Sequence, residues 1–113
     1  MEQKYFFYDN QIELEKVEDQ IERKILARGG KMMISKVYFQ EGAVAPRHQH
    51  FHEQVTYCLK GKVEFYIGDQ TAIIEPGDSV YIPPHCLHGC KVLEGDAILL
   101  DIFTPQREDF LSN

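Results

Sequence analysis

Hydrophobic and polar positions alternate in short runs along most of the chain, with the period of β-strands that bury one face. The runs are rich in Val, Ile, Tyr and Phe, and Gly, Pro and Asp separate them at turn-like positions. About eight strands are predicted, over residues 21–27, 32–39, 54–59, 63–67, 71–74, 79–82, 88–93 and 97–103. Two hairpins are expected within this series, with turns at residues 60–62 and 94–96.

The two ends of the chain are less regular. Residues 12–21 alternate like a strand at their start, but their charge density also suits an exposed turn of helix. The tail predicts a short helix, with Thr104 as its N-cap and Pro105 in its first turn. Since no apolar pattern of helical period is long, we expect an all-β sandwich or barrel with a short C-terminal helical segment.

Length and charge limit the kind of protein this is. With 113 residues, one domain over residues 1–113 is expected. There are 12 basic and 18 acidic residues, and a net charge of −6 argues against nucleic-acid or anionic-membrane partners. No apolar run approaches the roughly 18–20 residues of a membrane span, and the first residues lack the apolar core of a signal peptide. We therefore expect a cytoplasmic protein, whose 3 cysteines form no disulfide framework.

The histidines are unevenly distributed: all 5 lie between positions 48 and 88. On a strand, residues two apart point to the same face, so the imidazoles of His48 and His50 could bind one metal ion. Gln54 shares the parity of His50 and offers a neutral carbonyl oxygen, while His88 lies on a distant strand. The predicted metal ligands are His48, His50, Gln54 and His88.

Other interpretations of this stretch stay open. An isolated H-x-H pair is a weak signal, and the cluster is also compatible with a polar loop. His52 has the parity of a spare ligand, whereas Glu53 has the opposite parity and should point outward. Cys86 and Cys90 flank His88 at two-residue steps, and we interpret both as small buried hydrophobic residues.

Two segments of the chain resemble the cupin motifs. Residues 42–61 match the first motif, in which Gly and five residues precede H-x-H, with Gln54 in place of the usual Glu. Residues 77–91 match the second motif, with His85 where the family often has Gly. The resemblance implies a cupin fold, a double-stranded β-helix or jelly-roll barrel. It also implies one divalent transition metal ion in the barrel mouth, and the ligands do not distinguish Zn, Ni, Co, Fe and Mn.

A narrower resemblance covers most of the chain, from about Ile21 to Leu111. Residues 23–27, 81–89 and 100–110 look like the small cupins of pectin and alginate breakdown, the KdgF type. Residues 1–20 match little of that family and form a separate N-terminal extension. Because the fourth ligand in this family is Gln, Gln54 fits the subfamily. Cupins of this size often pair as homodimers, which is the expectation here.

This resemblance implies an activity and a site. The family opens the ring of 4,5-unsaturated monouronates to give linear 4-deoxy-5-keto uronates, so the expected partner is a small anionic sugar. Its catalytic set maps onto Asp101, Phe103 and Arg107. Asp101 ends an apolar run, where burial would raise its pKa toward that of a general acid or base. The planar guanidinium of Arg107 suits a carboxylate, and Phe103 shares the face of Asp101.

Without the resemblance, ordinary structural roles also fit these three residues. Asp101 could cap a strand end or pair with Arg107 in a salt bridge. Arg107 could belong to a solvated helix surface, and Phe103 to the core.

Two competing functions belong to other classes. The first is a metal-dependent cupin dioxygenase, although such sites often use two histidines and a carboxylate, and the chain has Gln54 there. The second is a non-catalytic module that binds a sugar or metabolite and acts through a partner.

Overall fold

The computed structural model describes residues 2–111 of the chain. It contains a short 3-10 helix, Asp9–Gln11, and a terminal helix α1, Glu108–Leu111. Between them lie the strands β1 Glu15–Glu18, β2 Ile21–Gly29, β3 Met32–Phe39, β4 Val44–His48, β5 Glu53–Ile67, β6 Gln70–Ile74, β7 Ser79–Ile82 and β8 His88–Thr104.

Two long strands, β5 and β8, organise the fold. They pair antiparallel along their length, and each takes different neighbours in its two halves. One half gives the strand order β1-β2-β3-β8-β5-β7, and the other gives β4-β8-β5-β6. The expected all-β jelly-roll architecture is thus confirmed. The predicted barrel is not closed by backbone hydrogen bonds within residues 2–111, because the outer strands keep free edges.

The two predicted hairpins are wrong, because Gly61 and Gly95 lie inside the continuous strands β5 and β8. Both glycines have positive φ, 97° and 62°, and the register of the two strands shifts between Cys58 and Val63. They mark bulges that bend the strands from one sheet into the other. At Gly61, a Cβ would lie 2.6 Å from Cβ of Ala97, so the close approach of β5 and β8 requires glycine.

Three further segments were ambiguous, missed or wrongly assigned. In the segment 12–21, which could be a strand or an exposed turn of helix, residues Glu15–Glu18 form the edge strand β1. Strand β4 was not predicted as a strand, and it carries a register shift between Ala45 and His48. The predicted short C-terminal helix is confirmed as α1, but its predicted start at Thr104 and Pro105 is wrong. Thr104 pairs with Glu53 and ends β8, the Thr104–Pro105 bond is cis, and α1 begins only at Glu108.

The core lies on the inner faces of the two sheets. Exposed or half-buried and buried residues alternate along β3, as the hydrophobic pattern predicts. Five polar residues interrupt this apolar interior: Ser35, His52, Gln54, Thr56 and His88. Among the described residues, no helix is both long and apolar enough to cross a bilayer.

Candidate metal centre and its cavity

Three histidines converge where β4 meets β8. His48 ends β4 and is the register partner of His88, the first residue of β8, while His50 lies in the turn before β5. The ligand atoms of the three side chains all lie within 4.8 Å of one another. Gly89 permits this arrangement, because a Cβ there would lie 2.7 Å from the carbonyl oxygen of Ala45. His50 lies in the connection between β4 and β5, so the prediction that it shares a strand face with His48 is wrong.

Each of these imidazoles is oriented by the main chain. In all three, Nδ1 lies at hydrogen-bonding distance from a carbonyl oxygen two residues away. The distances are 2.9 Å from His48 to Pro46, 3.0 Å from His50 to His52, and 2.9 Å from His88 to Cys86. A carbonyl oxygen only accepts, so Nδ1 carries the proton and Nε2 of the neutral ring keeps its lone pair. This arrangement is typical of metal-binding histidines.

The donor set fits a divalent cation. Nε2 of His88 is buried and has no hydrogen-bond partner within residues 2–111. Burial lowers the pKa of His88 to about 4 and also lowers the pKa of His50, so both rings are neutral at physiological pH. A buried nitrogen lone pair without a partner is costly, and a bound cation would satisfy it.

The carbonyl oxygen of Gln54 points toward the three-histidine group. Its amide nitrogen donates to Oγ1 of Thr56 at 2.9 Å, and the Thr56 hydroxyl donates to Oδ1 of Asp101 at 2.7 Å. Because that hydroxyl proton is already used, Oγ1 accepts from the amide, and Oε1 of Gln54 faces Nε2 of His50 at 3.0 Å. Two lone pairs at this distance suit a cation shared by both side chains. The four predicted ligands are therefore brought together.

Asp101 lies half-buried beside this group. Burial raises the pKa of Asp101 to about 6, against the hydrogen bond from Thr56 and the positive charge of Arg107, which lower it. A carboxyl that titrates close to neutrality can both take and return a proton under physiological conditions.

One cavity of about 330 Å³ collects most of the predicted site. Its lining includes His48, Gln54, His88, Asp101, Phe103 and Arg107. The Phe103 ring is 2% exposed and packs edge-on against His50, with ring centroids 6.0 Å apart.

Arg107 already holds a carboxylate. Its guanidinium donates through Nε and Nη2 to the two oxygens of Asp109, at 3.1 and 2.9 Å. The guanidinium carbon also lies 4.2 Å from the ring centroid of Phe110 and 5.1 Å from that of Phe103.

Sequence reasoning missed three residues that line the same cavity: Arg23, Ser35 and Phe110. Arg23 lies with its guanidinium carbon 3.7 Å from the Phe110 ring centroid and donates to Glu15 at 2.6 Å. A signal existed, because Arg23 has the parity of buried Ile21, and Ser35 the parity of buried Met33.

The remaining candidates lie outside the three-histidine group. His52 is buried and stacks on Phe51, with ring centroids 4.0 Å apart, and burial lowers its pKa. His85 is exposed and has a φ of 62°. Cys90 is buried in the core, which raises its pKa to about 12, and Cys86 is half-buried.

A jelly roll that gathers an H-x-H pair, a glutamine and a distant histidine beside one cavity defines a cupin-type domain with a candidate metal site. The Cupin domain family model matches residues 35–103, and this chain belongs to the cupin family. The chain is 34% identical over 107 residues to the pectin degradation protein KdgF of Dickeya dadantii (strain 3937), covering 94% of this chain and 97% of that protein.

Solved structures agree with this assignment. KdgF from Halomonas sp. superimposes with a TM-score of 0.91 at 35% identity, covering 96% of this chain and 99% of that one. An RmlC-like cupin from Shewanella frigidimarina NCIMB 400 gives a TM-score of 0.91 at 32% identity, covering 96% of each chain. The family resemblance predicted from the sequence motifs is confirmed.

Proposed function

We propose that this protein opens the ring of 4,5-unsaturated monouronates, giving linear 4-deoxy-5-keto uronates during the breakdown of uronic-acid polysaccharides. One observation carries the proposal: three of the four candidate metal ligands, a carboxyl that titrates near neutrality and an arginine all line one cavity. The similarity to a pectin degradation protein supports it.

The reaction is an isomerisation without a redox step. The anomeric hydroxyl loses its proton, the bond from the anomeric carbon to the ring oxygen breaks, and the ring oxygen leaves as an enolate. The distant alkene carbon then takes up a proton. Asp101 is the proposed base for the first transfer, because a pKa of about 6 leaves it mostly ionised at neutral pH.

The proposed ligands of one divalent transition metal ion (Zn, Ni, Co, Fe or Mn) are His48, His50, Gln54 and His88. When bound, such an ion supplies Lewis-acid stabilisation of negative charge on oxygen. Gln54 is neutral where the wider cupin motif has a carboxylate, so the ligands add no negative charge. The site therefore favours an anionic substrate.

The other two proposed catalytic residues bind the sugar. Arg107 would take the substrate carboxylate in the bidentate geometry that Asp109 now occupies. Phe103 would form the wall against which the sugar ring packs.

We also propose that the protein is a single-domain cytoplasmic homodimer. The three cysteines are free thiols, as expected in a reducing compartment. A group of large side chains on β5 and β7 is exposed and suits an interface with a second copy. They are Val55 at 39%, Tyr57 at 39%, Leu59 at 43% and Tyr81 at 54% exposure.

The test is to mix the metal-loaded protein with unsaturated galacturonate and follow the alkene absorbance. Acceleration over spontaneous opening is expected, and it should persist without oxygen, which separates ring opening from dioxygenase chemistry. Asp101→Asn should lose turnover but still bind uronate. If the protein were a non-catalytic binding module, it would have no turnover, and Asp101→Asn would leave its affinity for uronate unchanged. Asp69→Asn, in an exposed turn, is the matched control. No acceleration by protein shown to contain metal would refute the proposal.

A further inference from the structure

Ser35 is a polar residue in an apolar position. It lies on β3, it is 0% exposed and it lines the cavity. Its Oγ has no hydrogen-bond partner in the described part of the chain. Native proteins pair nearly all their buried polar groups, so an unpaired buried hydroxyl that faces a cavity indicates a place where a bound molecule supplies the partner.

The sheet places Ser35 directly beside the proposed base. Ser35 is the register partner of Asp101 across β3 and β8, and Asp101 is the register partner of Thr56 across β8 and β5. Side chains at such opposed positions lie on the same face, with Cβ atoms about 4.5–5.5 Å apart. Asp101 therefore has a hydroxyl on each side, and of these only Thr56 is hydrogen-bonded to the carboxylate.

Three other neighbours of Ser35 are apolar. Its register partner on β2 is Ile25, and the inward residues that precede and follow it on β3 are Met33 and Val37. These neighbours leave Oγ without a hydrogen bond, and a molecule bound in the cavity beside the carboxylate of Asp101 would supply one.

We propose that the Ser35 hydroxyl donates a hydrogen bond to the anomeric oxygen of the substrate while Asp101 removes the proton from that oxygen. The inference rests on the proposed function. The anomeric O–H bond breaks and its proton goes to Asp101. The electron pair left on oxygen becomes the new carbonyl bond as the bond to the ring oxygen breaks. Ser35 keeps its own proton throughout.

This assignment predicts a kinetic signature. Negative charge develops on the anomeric oxygen only during the reaction, so a donor aimed at it stabilises the transition state more than the bound substrate. Loss of the hydroxyl should therefore lower kcat and leave KM nearly unchanged.

The experiment compares Ser35→Ala, Ser35→Thr and the control Ser79→Ala, which removes an exposed hydroxyl on β7. Ser35→Ala should lower kcat on the order of 100-fold on unsaturated galacturonate, while KM changes less than about twofold. Its melting temperature should be unchanged or higher, because no protein hydrogen bond is lost. Ser35→Thr keeps the hydroxyl and should stay within about threefold of the wild-type kcat, and Ser79→Ala should match wild type.

Three results would overturn the assignment. One is a wild-type kcat in Ser35→Ala. Another is a lower kcat in Ser35→Ala that comes with a lower melting temperature, together with a Ser35→Thr variant whose kcat is equally low. That result would give Ser35 a structural role. The third is an inactive wild-type protein: that result refutes the proposed function, and the role of Ser35 with it. The wild-type measurement thus separates failure of the function from failure of the Ser35 assignment alone.

Discussion

Gln54 faces His50 with its carbonyl oxygen, and Oε1 lies 3.0 Å from Nε2 of the imidazole. The orientation follows from the other end of the amide, which donates to Thr56, and Thr56 in turn donates to Asp101. Two hydrogen bonds thus join a candidate metal ligand to the proposed base. A substitution that removes the amide donor of Gln54 should therefore change the hydrogen bonding and the pKa of Asp101.

Gln54→Glu tests this connection. A carboxylate cannot donate to Thr56, and its negative charge would raise the pKa of Asp101 and reduce the attraction for an anionic substrate. We expect metal to be retained and kcat/KM to fall on the order of 100-fold. Elemental analysis and initial rates measure the two effects, with Gln70→Glu on the exposed start of β6 as control. Full activity in a metal-loaded Gln54→Glu variant would contradict the role given to the neutral amide.

Asp109→Asn tests whether Asp109 competes with the substrate for Arg107. Hydrogen bonds from Arg107 hold the pKa of Asp109 below its usual range, so it is ionised at neutral pH. Exposed ion pairs contribute about 0.2–1 kcal/mol, so releasing Arg107 should lower KM by up to about fivefold and leave kcat unchanged. Steady-state kinetics measure KM and kcat for wild type and Asp109→Asn, with Asp69→Asn as control. A higher KM would mean that Asp109 positions Arg107 instead of competing.

The thiols should differ in reactivity. Burial raises the pKa of Cys90 to about 12 and raises that of Cys58, so neither supplies thiolate at neutral pH. Cys86 is half-buried and lies two residues before His88. Titration of the native protein with a chromogenic disulfide should label Cys86 alone at an appreciable rate, and denatured protein should react at all 3 cysteines. Rapid labelling of Cys90 in the native protein would contradict the packing of β8.

The sequence predicted what depends on local pattern and missed what depends on the partner strand. Alternation placed β3 correctly, and histidine spacing pointed to His48 and His50. Pairing of β4 with β8 brings His88, predicted on a distant strand, beside His48. Glycine segments that resemble turns became bulges, because β5 and β8 pair along their whole length. Ser35 was missed although it has the parity of buried Met33, because the strand pattern does not show that a cavity lies beside this inward position.

One carboxylate in the N-terminal segment binds two lysines of the sheet. Oδ1 and Oδ2 of Asp9 accept from Nζ of Lys24 at 2.6 Å and from Nζ of Lys36 at 2.7 Å. The hydrogen bond from Lys24 makes the largest contribution to lowering the pKa of Asp9, and the hydrogen bond from Lys36 makes the next largest. The hydrogen bond to Asp9 also raises the pKa of Lys36. Asp9→Asn should therefore lower the melting temperature by a few degrees at neutral pH.

The pH dependence of that loss has a definite sign. The folded pKa of Asp9 lies below its unfolded value of about 3.9, so its contribution is present above that value and lost as pH falls through the folded pKa. The contribution of Lys36 is complete below its unfolded pKa of about 10.4 and is lost only as pH rises through the raised folded value. The difference in melting temperature between wild type and Asp9→Asn should be largest between these limits and should shrink as the pH is lowered from about 5 to about 3. Asp19→Asn, in an exposed turn, should show no such difference. A difference that does not change with pH would show that Asp9 acts through packing and not through its charge.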